Sequence, residues 1–195
     1  MMREVWDREK TEKVCAIDLD GVLVDYPKCW IDYINKETPH TFTTLTTAKE
    51  VLSYAEYKTL KAKYRTSGYK RTLPAIKGAS KFIKDLQEKG YQVVILTSRP
   101  YRLYRRIWRD TVDWLNDHDI KPDGIIWEAE KHWAVLKEFP YLKFLVEDNA
   151  KLGNQVAKLG YKVYILDNEY NRQKLENNCS RVFRLDDIIR SEICD

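Results

Sequence analysis

Two acidic residues separated by one residue, at the end of an apolar run, are the first chemistry the chain offers: Val14-Cys15-Ala16-Ile17-Asp18-Leu19-Asp20-Gly21-Val22. Side chains alternate along an extended strand, so Asp18 and Asp20 point to the same side. Carboxylates held so close repel, and burying them costs free energy unless a cation or a shared proton compensates. A hard divalent ion such as Mg²⁺ is the natural compensator. A second apolar run ends in Leu96-Thr97-Ser98-Arg99-Pro100, ahead of a predicted helix. Hydroxyls and unpaired N–H groups at a helix start, with an Arg nearby, form an anion cradle suited to phosphate. A third run, Phe144-Leu145-Val146-Glu147-Asp148-Asn149, adds another acidic pair. Asp before Gly is also common in exposed turns, and Thr or Ser before a helix is a common N-cap. Three such endings in one chain favour a site over turns, and capping is compatible with phosphate binding.

These groups can meet only if the three runs are strands ending on one edge of a sheet. Two segments indicate the architecture: Glu88-Lys89-Gly90-Tyr91-Gln92-Val93-Val94-Ile95-Leu96 and Lys158-Leu159-Gly160-Tyr161-Lys162-Val163-Tyr164-Ile165-Leu166. Each reads as a helix end, a Gly in the left-handed cap position, and a buried strand. Further strands fit residues 14–18, 124–127 and 143–147, with a short additional one at 181–183. Helical spacing covers 76–89, 101–117, 128–138, 150–159 and 186–193. Alternation of this kind predicts an α/β fold, a Rossmann-like, doubly wound, parallel five-stranded sheet, whose C-terminal strand ends bind ligands. Residues 26–73 break the alternation and carry no convincing strand. Pieces at 28–36 and 47–65 have helical spacing, with Thr46 or Thr47 and Glu50 as a capping box. The expected organisation is a core of residues 1–25 and 74–195 with a small helical cap, 26–73, inserted after the first strand and overhanging the site.

Composition bounds the rest. The 195 residues suit one domain with a small elaboration, and 44% hydrophobic content with 6 Trp and 13 Tyr argues against disorder. The longest apolar runs are strand-sized, far short of the about 20 residues a membrane helix needs. The charged start, Met1 to Lys10, does not read as a signal peptide, so a cytoplasmic location is expected. Cys15, Cys29, Cys179 and Cys194 form no C-x-x-C pair and read as reduced, partly buried thiols. The balance of 34 basic and 30 acidic residues, net +4, decides little alone.

In that order, Asp18-Leu19-Asp20-Gly21-Val22, Leu96-Thr97-Ser98-Arg99-Pro100 and Glu147-Asp148-Asn149 resemble the motifs of haloacid-dehalogenase superfamily phosphatases. The chain is most similar to the 5′(3′)-deoxyribonucleotidase branch and its nucleotidase relatives. That likeness includes Leu73-Pro74-Ala75-Ile76-Lys77-Gly78-Ala79 and Asp167-Asn168-Glu169-Tyr170-Asn171, and it spans about residues 14–189. The resemblance implies phosphoryl transfer through an aspartyl-phosphate. Asp18 would be the nucleophile. Asp20 would be the proton donor and then acceptor, with a pKa raised by its acidic neighbour. Mg²⁺ would be held by Asp18, the backbone carbonyl of Asp20, and Asp148, with Glu147 direct or through water. Thr97 would bind the phosphoryl oxygens, with Ser98 and Arg99 assisting substrate binding. A lysine should neutralise nucleophile and phosphate together. Lys131 is the first choice, with Lys137 and Lys143 as rivals.

The reading that follows is a Mg²⁺-dependent phosphomonoesterase for a small phosphorylated substrate, a nucleoside or deoxynucleoside monophosphate first. A polynucleotide end phosphatase is the alternative within enzymes, and a non-catalytic binding or regulatory module the alternative outside them. Nucleic acid is the second-ranked partner, no membrane is expected, and the oligomeric state is open. For the nucleic-acid alternative, Arg102, Arg105, Arg106 and Arg109 share one face of the predicted 101–117 helix. A solvated face beside Asp110 and Asp113 is favoured over a backbone-tracking stripe. Aromatic residues of the insertion, Tyr26, Trp30, Tyr33, Phe42, Tyr54, Tyr57, Tyr64 and Tyr69, read mainly as core, with one or two available to stack on a base.

Overall fold

The computed structural model describes residues 13–139 and 141–192. The segment read for a signal peptide and Cys194 lie outside these residues, as does the end of the last predicted helix. Six parallel strands form one sheet in the order β3-β2-β1-β4-β5-β6. They are β1 Val14–Ile17, β2 Gln92–Thr97, β3 Gly124–Trp127, β4 Leu142–Glu147, β5 Lys162–Leu166 and β6 Cys179–Val182. The sixth strand corrects the expected five. Its sequence, Cys-Ser-Arg-Val, lacks an apolar run because an edge strand pairs on one side only, here with β5. Registers Ile17↔Ile95 and Ile17↔Val146 align the ends of β2, β1 and β4, so the three chemical motifs share one edge. The chain reverses direction of winding between β1 and β4, the crevice where such sheets bind ligands.

Strand residues divide by parity between two cores. Cys15, Ile17, Val93, Ile95, Phe144 and Val146 face α4 (Ala79–Glu88), α5 (Arg105–Asp117) and α8 (Leu185–Ser191). Ala16, Val94, Leu96, Leu145 and Val163 face α6 (Lys131–Glu138) and α7 (Ala150–Lys158). Both faces are covered, which is why the strands read as unbroken apolar runs. Helices α4 and α7 each end in a turn at a left-handed glycine, Gly90 (φ 79°) and Gly160 (φ 93°), as the paired sequence segments predict.

Between β1 and α4 the chain forms α1 (Lys28–Glu37), α2 (Leu45–Val51), α3 (Tyr54–Thr66) and a 3₁₀ turn at Tyr69–Thr72. Trp30, Ile34, Ala48, Leu60 and Tyr64 from this segment join the same buried cluster as α4 and β1. Fully burying such side chains contributes about 1.5–3 kcal/mol each. The single predicted helix over 47–65 is two helices. Thr44 caps α2 by accepting from Thr47 N–H, and the capping box is Ser53 with Glu56, not Thr46 or Thr47 with Glu50. The Ser53 side chain offers the backbone a partner outside the helix ladder, so one helix ends there and the next begins. Entry to and exit from the segment are tied together by Asp25 N–H on Pro74 O (3.1 Å) and Ile76 N–H on Leu23 O (2.8 Å).

Three further starts are later than predicted, that of α4 falling at Ala79 rather than 76. Helix α5 begins at Arg105 rather than 101, because the chain first turns, with Tyr104 N–H donating to Pro100 O (3.1 Å). Arg102 therefore lies off the helix, and the predicted four-arginine face is reduced to Arg105, Arg106 and Arg109. Helix α6 begins at Lys131 rather than 128, after a connection through Glu128 and Glu130.

Candidate active site

Asp18 leaves β1 with its own N–H still on the ladder, donating to Val146 O at 2.9 Å. Its carboxylate is buried and its Oδ1 receives two donors: Leu19 N–H at 2.7 Å and Lys131 Nζ at 2.6 Å. Lys131 Nζ also reaches Glu147 Oε1 at 3.0 Å. Of the three lysines weighed on sequence, Lys131 is buried against the acids, whereas the Lys137 side chain is 81% exposed beside Glu138 and Lys143 is exposed on β4. Carboxylate oxygens of Asp18, Glu147 and Asp148 lie within 4.8 Å of one another, all buried. Three carboxylates around one ammonium leave excess negative charge in a low-dielectric place. Burial, then the charge of Asp18, raises Glu147 well above the usual carboxylate range against the opposing pull of Lys131. Burial and Asp18 likewise push Asp148 up to about 7, although a hydrogen bond from Tyr170 opposes the shift. Burial disfavours the charged Lys131, yet Asp18 and Glu147 more than offset it and raise its pKa.

The loops around this cluster are fixed. Gly21 has φ +96°, and a Cβ there would meet Asp148 Oδ2 at 2.2 Å. The β1 loop can therefore lie against the β4 acids only without a side chain at 21. Asn171 is buried and donates from Nδ2 to Asp148 O and Leu166 O, both at 2.8 Å, while its Oδ1 accepts from Asn168 N–H and Arg181. Tyr170 donates its hydroxyl to Asp148 Oδ2. The Tyr-Asn pair noted in the resemblance thus positions the β4 acids.

Asp20 stands in the opposite environment. Arg99 Nε and Nη2 grip its two oxygens at 2.8 and 2.6 Å, and Lys70 Nζ lies 3.2 Å from Oδ2. Burial alone would raise the Asp20 pKa. The charges and hydrogen bonds of Arg99 and Lys70 overcome this and hold it well below the usual carboxylate range. This corrects the expectation of a raised pKa, which considered the acidic neighbours and not cations arriving from elsewhere. Lys70, in the 3₁₀ turn at the end of the insertion, escaped the sequence reading because nothing in Tyr69-Lys70-Arg71 marks its direction. Burial and Arg99 lower its pKa to about 8 against the pull of Asp20.

The phosphate-cradle residues are placed less simply. Thr97 is buried at the end of β2, its hydroxyl accepting from Arg99 N–H at 3.3 Å. Ser98 is exposed and lines the cavity. Arg99, expected to meet substrate, is buried with its guanidinium on Asp20 and on Thr111 Oγ1 (2.8 Å). No helix starts directly at this motif, since α5 begins six residues beyond Arg99. The cavity above the cluster has a volume of about 700 Å³, and the insertion contributes Tyr26, Lys61, Arg65 and Lys70 to its lining. Lys61 Nζ sits 4.2 Å from the Trp30 ring centre. Burial, then the positive charges of Lys70 and Arg65, push its pKa down to about 7. Away from the cavity, Arg106 pairs with Asp110 (3.3 Å) and Arg109 with Asp113 (3.8 Å).

The donor set of buried hard oxygens with excess negative charge fits a divalent cation such as Mg²⁺. Among the described residues no helix is long and apolar enough to cross a membrane.

Comparison with known proteins adds to this geometry. Residues 12–190 match the family described as 5′ nucleotidase, deoxy (Pyrimidine), cytosolic type C protein. A nucleotidase of Clostridium acetobutylicum is 26% identical over 181 residues, covering 89% of this chain and 90% of the relative. A haloacid dehalogenase-like family hydrolase from Streptococcus pneumoniae superposes with TM-score 0.63 at 14% identity, covering 92% of this chain and 98% of the other. D,D-heptose 1,7-bisphosphate phosphatase from B. bronchiseptica, solved with magnesium and phosphate, gives TM-score 0.58 at 12% identity, covering 93% and 98%. These two structures share the fold.

Proposed function

The chain belongs to the cytosolic type C 5′ nucleotidase family, a phosphatase lineage of haloacid-dehalogenase fold, and on that premise we propose that it hydrolyses nucleoside or deoxynucleoside monophosphates with Mg²⁺. The observation that carries this reading is the buried cluster of Asp18, Glu147 and Asp148 closed by Lys131. Mg²⁺ would be held by Asp18, Asp148, Glu147 and the backbone carbonyl of Asp20, where it supplies positive charge against the phosphate and the nucleophile.

Asp18 attacks phosphorus; the bond to the leaving oxygen breaks as the Asp18–phosphorus bond forms, and the leaving oxygen takes a proton. Lys131 and Leu19 N–H hold the Asp18 carboxylate oriented for that attack. Asp20, two residues on, supplies the proton. A phosphate dianion beside Asp20 competes for Lys70 and Arg99 and adds negative charge, and both effects raise the carboxyl toward the range in which it holds a proton. Water then attacks phosphorus, Asp20 takes the proton from it, and the Asp18–phosphorus bond breaks to release inorganic phosphate. Thr97 and Ser98 steady the phosphoryl oxygens as charge moves onto them. Insertion residues over the cavity exclude water and large leaving groups.

The test is phosphate release from a mononucleotide panel beside phosphorylated oligonucleotides of matched base content, with and without Mg²⁺. Asp18→Asn should lower turnover on the order of 10⁴-fold or more while leaving the thermal midpoint unchanged or higher, since it relieves carboxylate repulsion. Phosphate release from no monoester by the parent protein would overturn the reading.

A further inference from the structure

Apart from Lys151 on α7, the lysines and arginines lining the cavity fall into two groups. Lys131, Lys70 and Arg99 each meet a carboxylate, at 2.6, 3.2 and 2.6 Å. Lys61 and Arg65 stand four residues apart on α3, line the same cavity, and meet no carboxylate among the described residues. What holds them is aromatic. The Lys61 ammonium lies 4.2, 5.3 and 5.5 Å from the ring centres of Trp30, Tyr26 and Tyr64, and the Arg65 guanidinium lies 5.4 Å from Tyr104. Ring faces partly desolvate and aim a cation without neutralising it. Burial lowers the Lys61 pKa, Lys70 and Arg65 push it the same way, Asp20 offsets part of that push, and an anion placed beside Lys61 and Arg65 relieves the rest.

The same wall is poor in exposed rings. Of the insertion's aromatic residues, Tyr26 is the one that lines the cavity among the described residues, while Trp30, Tyr33 and Tyr64 are buried in the core. A leaving group is therefore met by charge more than by stacking.

We propose that Lys61 and Arg65 form a second anion subsite, and that the favoured substrate is a phosphomonoester whose leaving group carries a phosphate of its own, a nucleoside bisphosphate. The assignment of which phosphate is cleaved rests on the phosphatase reading above; the subsite itself does not. Phosphoryl transfer occurs at Asp18, the second phosphate stays on the departing nucleoside, and the products are a nucleoside monophosphate and inorganic phosphate. A cavity of about 700 Å³ is within the range of pockets that enclose ligands of this size.

The experiment uses full-length Asp18→Asn protein with Mg²⁺ and calorimetric titration of three probes: a nucleoside 5′-monophosphate, the 3′,5′-bisphosphate of the same nucleoside, and inorganic phosphate. The bisphosphate should bind about tenfold or more tightly than the monophosphate, the worth of one partly desolvated charge pair. Adding Lys61→Met and Arg65→Met should bring that ratio to about one, and Lys61→Arg, which keeps the charge, should retain it. Equal binding of the two nucleotides by the parent overturns the proposal. So does equal weakening of all three probes in the double variant, which would assign these cations to the transferring phosphate. If the double variant does not fold, the parent ratio together with either Met variant alone decides. Phosphate release by the wild-type protein separates the two readings. Turnover of monophosphates with no preference leaves the hydrolase standing and sinks the subsite, and preferential binding with no release does the reverse.

Discussion

The floor of the cavity and its roof use the same side-chain chemistry with opposite balance. On the floor, at the ends of β1 and β4, Asp18, Glu147 and Asp148 surround the single ammonium of Lys131. On the roof, Lys61, Arg65 and Lys70 come from the insertion, and of these three Asp20, from the floor's own strand end, pairs with Lys70. Excess negative charge below suits a cation and excess positive charge above suits an anion. A single residue, Leu19, separates Asp18 from Asp20, yet one belongs electrostatically to the floor and the other to the roof. Local sequence does not set a carboxylate's protonation; the elements folded against it do.

The hardest blow to this division is Lys131→Met. Removing one partner of a buried pair leaves Asp18 and Glu147 facing each other uncompensated, at a cost of about 3–5 kcal/mol in stability. Turnover should fall on the order of 10²–10³-fold, and added Mg²⁺ should recover part of the thermal midpoint. A floor that tolerates the loss of Lys131 without a stability change would not be an acidic cluster in need of charge.

Next in size is a pH effect on the metal-free protein. Asp148 has a folded pKa of about 7, above its ordinary 3.8, so between those values the folded state holds a proton that the unfolded state has lost. Stability from this group is complete below about pH 4 and is lost as pH rises through about 7. Thermal midpoints measured in chelator should fall across that window. They should fall less in Asp148→Asn and less with Mg²⁺, which competes with the proton.

Lys70→Met probes the seam between roof and floor. With one cation removed, Asp20 rises and keeps the proton it donates to higher pH, so the alkaline limb of the kcat/KM profile should move upward by about one pH unit. An unmoved limb would separate Asp20 from the proton transfer. Smallest of all is Arg109→Gln on α5. Its pair with Asp113 is 3.8 Å long and its side chain 80% exposed, so stability should change by less than about 0.5 kcal/mol and oligonucleotide affinity should stay the same.

Much of the floor was legible in advance because its signals are local. Apolar runs ending in acids or hydroxyls mark strands β1, β2 and β4, and Gly90 after α4 and Gly160 after α7 mark turns into strands. Lys131 ranked first among three lysines on position alone, and burial against Asp18 separates it from Lys137 and Lys143. The roof was less legible. The 47–65 segment divides at Ser53, and Lys61, Arg65 and Lys70 carry no periodic or motif signal, since long cations on a helix read as solvated surface. Arg99 misled in the other direction: beside Thr97 and Ser98 it reads as a phosphate ligand, and its guanidinium is instead committed to Asp20 and Thr111.

By itself the order of residues determined the alternation of strands and helices, the strand ends on which the acids sit, and the family, since each depends on short-range pattern. Tertiary structure alone decided that the short strand marked at 181–183 joins the sheet edge as a sixth, the partners of Asp20, and the unmatched charge on α3. Those depend on which distant elements come within a few ångströms, where Coulomb interaction and desolvation are strong enough to decide a side chain's state.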